Sequence, residues 1–243
     1  MSLTLKEKLQ QLWADSMDKL HQTAANSEVV QSIIQRTFLW MAWITFVVFA
    51  VGYYMVSLMK TWAISPSQYT IAFWASMIGG LVLVFVISWF WEKMNYATLA
   101  ILAILFAVLE GIGLSGVLAY YSAASVINAF AGAAVLFLIM ALYGYFTKTD
   151  LTKLWTILLV GLIAVIVLTL INVLFIHSSG FDLVLSIVGL LIFLGLVAWN
   201  LQTLKLAALS GDRRLEIVFG VSLYLDFINI FLELLRIFGS SDD

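Results

Sequence analysis

The chain reads as an all-α integral membrane protein, a seven-helix bundle with six helices around a central seventh. Three observations predict this. Hydrophobic residues make up 63% of the 243 positions and charged residues 11%, less than half of the roughly 25% charged share of soluble domains. Most charges fall between long apolar runs, and each run reaches the roughly 20 residues that one helical crossing needs. The last run carries a polar seam, which needs protein or water around it in place of lipid.

Residues 1–36 are read as a cytoplasmic N-terminal segment. Over 3–23, apolar positions recur at helical spacing (Leu5, Leu9, Leu12, Trp13, Met17 and Leu20), predicting an amphipathic helix on the cytoplasmic face or over the bundle. Its acidic and basic residues balance, so it is not a polybasic lipid binder. No cleavable signal peptide is expected, because the first long apolar run begins near Thr37, behind mixed charges.

The transmembrane domain is placed at 37–239. Thr37–Met59 is the first span and Thr61–Trp91 the second, ended by Lys60 and by Glu92-Lys93. Met94–Phe146 holds only Glu110 as a charge and is too long for one crossing. "YYSAAS" (Tyr120–Ser125) therefore divides it into the third and fourth spans. "TKTDLTK" (Thr147–Lys153) is a loop. Leu154–Ile176 and Leu183–Leu204 are the fifth and sixth spans, separated by "HSSGFD". "KLAALSGDRRLE" leads to the seventh, Phe219–Gly239, and residues 240–243 form a short acidic tail. Trp62, Trp91 and Trp155 lie near span ends as interface anchors.

Orientation follows from Lys and Arg in the connections. The N-terminal segment and the second, fourth and sixth connections hold ten (Lys6, Lys8, Lys19, Arg36, Lys93, Lys148, Lys153, Lys205, Arg213, Arg214), and the alternate ones hold Lys60 alone. The N-terminus is thus expected in the cytoplasm. Seven crossings would put the tail outside, and a re-entrant seventh segment would leave it inside.

In the seventh span Ser222, Asp226, Asn229, Glu233 and Arg236 fall within an arc of about 80° at about 100° per residue. A charge at a helix centre costs about 3 kcal/mol on insertion scales, so this seam is expected to face the interior. Glu233 and Arg236, three apart, can pair locally as a structural ion pair. Asp226 has no basic neighbour on its own helix. By depth its partner would be Asn200, Glu110 or Asn172, with Asn200 favoured by connectivity and Asn229 one turn away. Glu110 sits in "LEGIGLSG", whose small residues let helices approach closely. It is either a hydrogen-bonded structural acid or an ion-path residue. His177 and Asp182 are expected in solvent at the fifth connection.

The composition also excludes. A net charge of −2 argues against nucleic acid, and the absence of cysteine removes thiolate chemistry and Cys-type metal sites. No Gly-rich phosphate loop, HExxH or GxSxG is present. The chain is read as non-enzymatic and without a cofactor.

Three motifs, in this order along the chain, carry a family resemblance. "FAVLEGIGLSG" (Phe106–Gly116) is similar to the third span of the Bax inhibitor-1 family, the transmembrane Bax inhibitor motif proteins. "YGYFTKTDLTKLW" (Tyr143–Trp155) is similar to its fourth-loop motif, and "SLYLDFINIFLELLRIFG" (Ser222–Gly239) resembles its seventh-helix signature. The match runs from about Arg36 to Gly239 and is of bacterial type.

The resemblance implies six helices around a central seventh and a pH-sensitive calcium leak. In the calcium-leak members two aspartates, late in the sixth helix and in the seventh, share a proton and gate the pore. The seventh-helix aspartate carries over to Asp226. At the sixth-helix position "AWNLQ" (Ala198–Gln202) places Asn200, so half of the pair is present. The second-helix end, arginine-rich in some bacterial members, reads "WFWEKM" (Trp89–Met94) here.

Two close carboxylates repel each other's ionisation, and an asparagine cannot ionise. Asp226–Asn200 is therefore expected to mimic a singly protonated pair, with pH sensitivity weakened or moved to lower pH. The expected function is a pH-modulated cation leak, with Asp226 and Asn200 as gate, Ca²⁺ or protons as cargo, and Asp226 as the candidate Ca²⁺ contact. Glu110, Asn229, Ser222 and Asn172 are candidate ion-path residues. Two alternatives stay open. Asn200 and Asp226 also read as a mere helix tie, and the chain as a membrane-embedded regulator of a membrane protease or of stress survival.

Overall fold

The computed structural model describes residues 24–240. The amphipathic segment expected over 3–23 lies outside the described residues. Among the described residues there are seven long helices and no strand: α1 (Ala24–Lys60), α2 (Pro66–Phe90), α3 (Tyr96–Tyr120), α4 (Ala123–Phe146), α5 (Leu154–Ile171), α6 (Ser179–Ala207) and α7 (Leu215–Phe238). All seven are long and apolar enough to cross a membrane. The protein is an all-α, multi-pass membrane protein.

Side-chain caps set the helix starts. Ser65 accepts the Gln68 N–H at 3.3 Å while Gln68 accepts the Ser65 N–H at 3.0 Å, a reciprocal cap with Pro66 in the first turn. Asn95 accepts the Thr98 N–H at 2.8 Å. Ser122 accepts the Ser125 N–H at 3.3 Å, which is why "YYSAAS" splits the long apolar run. Ser178 accepts the Phe181 N–H at 3.3 Å and starts α6.

Several helices outrun their apolar stretches. α1 passes through Arg36 without a break, α6 begins before Leu183 and α7 before Phe219. Charge ends an apolar run, but the backbone hydrogen-bond ladder continues into the headgroup region. At 37 residues, α1 is about 55 Å long, against a hydrocarbon core of roughly 30 Å. Between α6 and α7 only a short 3₁₀ turn (Ala208–Ser210) and a few residues intervene. Gly211, at φ 71°, takes the left-handed conformation that closes this turn, one that a side chain disfavours.

The chain divides into two compact units. One contains the described residues up to Ile34, Ile127–Gly211 and Leu225–Gly239. In it Phe227 packs edge-on against Phe130 and Phe137, with ring centroids at 5.2 and 6.0 Å. The other contains Gln35–Val126 and Asp212–Tyr224. There α1 and α3 cross closely at Gly111, where a Cβ would lie 2.7 Å from the Val48 carbonyl oxygen. In this unit the small residues of "LEGIGLSG" serve helix packing.

Burial separates α7 from the rest. In its most apolar window 67% of residues are buried, against 11–39% in the other six helices. Leu223, Tyr224, Ile230 and Phe231 are fully buried, as a helix carrying a polar seam requires.

Candidate functional site

The C-terminal half of α6 is buried without a gap from Leu196 to Leu204. Its neighbours fix it in place. Trp199 stacks on Trp155 with centroids 4.4 Å apart. Gln202 accepts the Leu151 N–H and donates to the Thr149 carbonyl, both at 2.8 Å, clamping the loop after α4. Lys205 donates to the Tyr145 carbonyl at 3.1 Å. Gly144 on α4 lies directly against Ala198, so nothing larger fits between the two backbones.

This framework holds Asn200 toward α7. Its Nδ2 donates to Asp226 Oδ2 at 2.7 Å, a charge-assisted geometry. Asp226 is 4% exposed and Asn200 8%. Among the described residues no Lys, Arg or His forms an ion pair with Asp226. The arrangement is a buried carboxyl group whose partner is a neutral amide.

The other sequence-predicted polar residues are placed differently. Asn229 donates to its own helix at the Leu225 carbonyl, at 2.7 Å, and Ser222 to the Val218 carbonyl at 3.1 Å. Both are half-buried, and neither is hydrogen-bonded to Asp226. Asn172 brackets the end of α5: its amide donates to the Ser178 carbonyl and its oxygen accepts the Ser178 N–H, both at 3.1 Å. Glu233 is 8% exposed, and Arg236 Nη1 lies 3.5 Å from its Oε2. Its other oxygen presses on Gly189 of α6, 2.9 Å from where a Cβ would be. Glu110 is half-buried in the other unit, its carboxylate over Gly80 of α2. His177 is exposed.

The sequence reading passed over Glu216, which is 1% exposed. It lies in the first turn of α7, and Tyr96 donates to its Oε2 at 3.3 Å. Arg213 and Arg36 stand 3.5 and 3.8 Å from its Oε1. In the sequence it ends "KLAALSGDRRLE", the connection that leads to the seventh span. The available signal was helical spacing, since Glu216 falls in register with Gly220, Leu223 and Phe227.

Fold and site together define a class: polytopic α-helical membrane proteins whose last helix buries an aspartate against a polar partner on the preceding helix. Within that class the chain belongs to the Bax inhibitor-1 family, for a family model described as "Inhibitor of apoptosis-promoting Bax1" matches residues 30–243. Bacterial membrane proteins are among its relatives. A protein of Deinococcus radiodurans is 40% identical over 171 residues, 68% of this chain and 74% of the relative. One of Borreliella burgdorferi is 38% identical over 176 residues, 70% and 75%. The inner membrane protein YbhL of Escherichia coli is 36% identical over 171 residues, 68% and 73%.

Proposed function

We propose that this protein is a non-enzymatic, pH-modulated leak for Ca²⁺ or another cation across a bacterial plasma membrane, with its N-terminus in the cytoplasm. The observation that carries the reading is the Asp226–Asn200 hydrogen bond at 2.7 Å inside the buried part of α6 and α7. A carboxylate there is a charge without a counter-ion, and an arriving cation or proton supplies the missing charge. Among the described residues no cluster of three or more His, Cys, Asp or Glu is present. Ca²⁺ takes 6–8 oxygen ligands when held, so Asp226 acts as a contact in passage. Asn200 holds the carboxyl group in line and adds no second ionisable group to the pair. Glu110, Ser222, Asn229 and Asn172 are secondary positions on this reading, the last three with local hydrogen bonds of their own.

The test is flux from calcium-loaded liposomes across pH. Asp226→Ala changes flux about tenfold or more, the scale of one buried charge interaction. Asn200→Asp restores a second carboxylate and makes the leak more pH-dependent around neutrality. Identical pH profiles for wild type and Asn200→Asp would sink the gate. The Asp226–Asn200 bond would also tie α6 to α7 in a regulator of a membrane protease or of stress survival, with no pore. In that case Asp226→Ala alters partner capture and leaves flux unchanged.

A further inference from the structure

A groove of about 610 Å³ opens beside α1, lined among others by Arg36, Leu39, Trp40, Trp43, Tyr96 and Glu216. Glu216 is fixed from below, since Tyr96 donates to it and in turn accepts from Trp40 Nε1 at 3.1 Å. Of the two arginines beside it, Arg36 lines the groove and Arg213 lies over the Tyr96 ring at 5.3 Å, and both keep their N–H donors free for a ligand. Separations of 3.5 and 3.8 Å are ion-pair distances too long for good hydrogen bonds. Neither guanidinium makes a hydrogen bond among the described residues, and the side chains stay 64% and 47% exposed. Two cations against one buried anion leave the mouth of the groove positive. Arg214 is engaged differently: it grips Asp212 at 2.6 Å and donates to the Glu92 and Met94 carbonyls at 2.9 and 3.1 Å.

The apolar wall continues from this mouth along one face of α1. Leu39, Trp43 and Phe46 are 68, 55 and 61% exposed, and the rings of Trp43 and Phe46 stack at 5.5 Å. No charge falls between Arg36 and Lys60, and the rise between them is about 36 Å. That matches one hydrocarbon core of roughly 30 Å with a headgroup margin, so Arg36 stands at headgroup depth with the strip below it.

We propose that this groove binds one anionic phospholipid. The headgroup phosphate sits between Arg36 and Arg213, whose forked N–H donors match its oxygens. An acyl chain lies along Leu39, Trp43 and Phe46. The cations stand at the end of an apolar strip at headgroup level, which a lipid fits and a soluble phosphate does not use. The inference does not rest on the leak reading.

The experiment uses the full chain, purified and delipidated in neutral detergent, with lipid retention read by native mass spectrometry. Phosphatidylglycerol is retained about tenfold more strongly than phosphatidylcholine, the scale set by two arginines at an anionic headgroup. The double variant Arg36→Ala/Arg213→Ala loses that preference, whereas Lys93→Ala, at the same interface but outside the groove, keeps it. Trp43→Ala, which removes none of the hydrogen-bond or ion-pair partners of Glu216, weakens both lipids by roughly threefold through lost aromatic contact. Equal retention of the two lipids overturns the proposal. So does a Lys93→Ala loss as large as that of the double variant, an unchanged affinity in Trp43→Ala, or full displacement of the lipid by millimolar inorganic phosphate.

Discussion

Glu216 and Asp226 share one helix and nearly the same burial, 1% and 4% exposed, yet they are held in opposite ways. Glu216 has two arginines within 3.8 Å and a tyrosine hydroxyl at 3.3 Å. Its charge is answered on the spot. Asp226 has one amide at 2.7 Å, which orients the carboxylate without neutralising it. Glu233 lies between the two cases, with a single arginine at 3.5 Å. Burial alone therefore does not tell how a buried carboxylate is compensated. The charge of its partner sets how well the group is compensated, because an ion pair answers a buried charge locally and a neutral amide does not.

The strongest way to break this contrast is Gly144→Ala. The new Cβ would run into the Ala198 backbone, with Cα at 2.7 Å and the carbonyl carbon at 2.8 Å. Backbone atoms cannot rotate aside, so the helices must part. The expected loss is about 3 kcal/mol, the upper range for overpacking, read by unfolding in detergent. Because Ala198 lies half a turn from Asn200, the Asp226 setting is disturbed and lipid retention at the Glu216 groove is spared. Wild-type stability in this variant would show that the close approach is not required.

Glu216→Ala should have the next largest effect, about 2 kcal/mol. Removing one member of a buried ion pair strands the others, but both arginines are half in solvent and can rehydrate. Tyr96 loses its acceptor as well. Glu216→Gln keeps the tyrosine bond and should recover part of the loss. If the alanine variant unfolds within about 0.5 kcal/mol of wild type, as ordinary surface changes do, Glu216 is not compensated in the way described.

Much of this was legible in the sequence. Asp226 stood out because a charge inside an apolar run is expensive and needs a polar partner. Asn200 followed from the family resemblance and from chain connectivity. Asn229 and Ser222 share the seam with Asp226, but short polar side chains on a helix reach their own backbone at i−4 more easily than a neighbour, and here both do. Asn172 was read by depth alone, whereas its amide brackets the turn after α5. Glu216 escaped because charge density marks a loop in sequence, while in space Arg36 and Tyr96, far away in the chain, close over it. Arg36 and Arg213 were counted only for orientation, since exposed cations beside an apolar strip become a groove only once the helices are placed.

The smallest predicted effect isolates an ion pair in the connection before α7. The Arg214 guanidinium, bonded to Asp212 at 2.6 and 3.0 Å, holds that carboxyl below its ordinary value of 3.8, with partial burial opposing the shift. A depressed carboxylate stabilises the fold above its unfolded value, and that stabilisation is lost as pH falls through the folded one. Asp212→Asn should therefore cost no more than about 1 kcal/mol near neutrality, given the pair's partial exposure. The gap to wild type should narrow in acid until the two unfolding curves coincide. A gap that widened on acidification would mean that Asp212 is held by something other than Arg214.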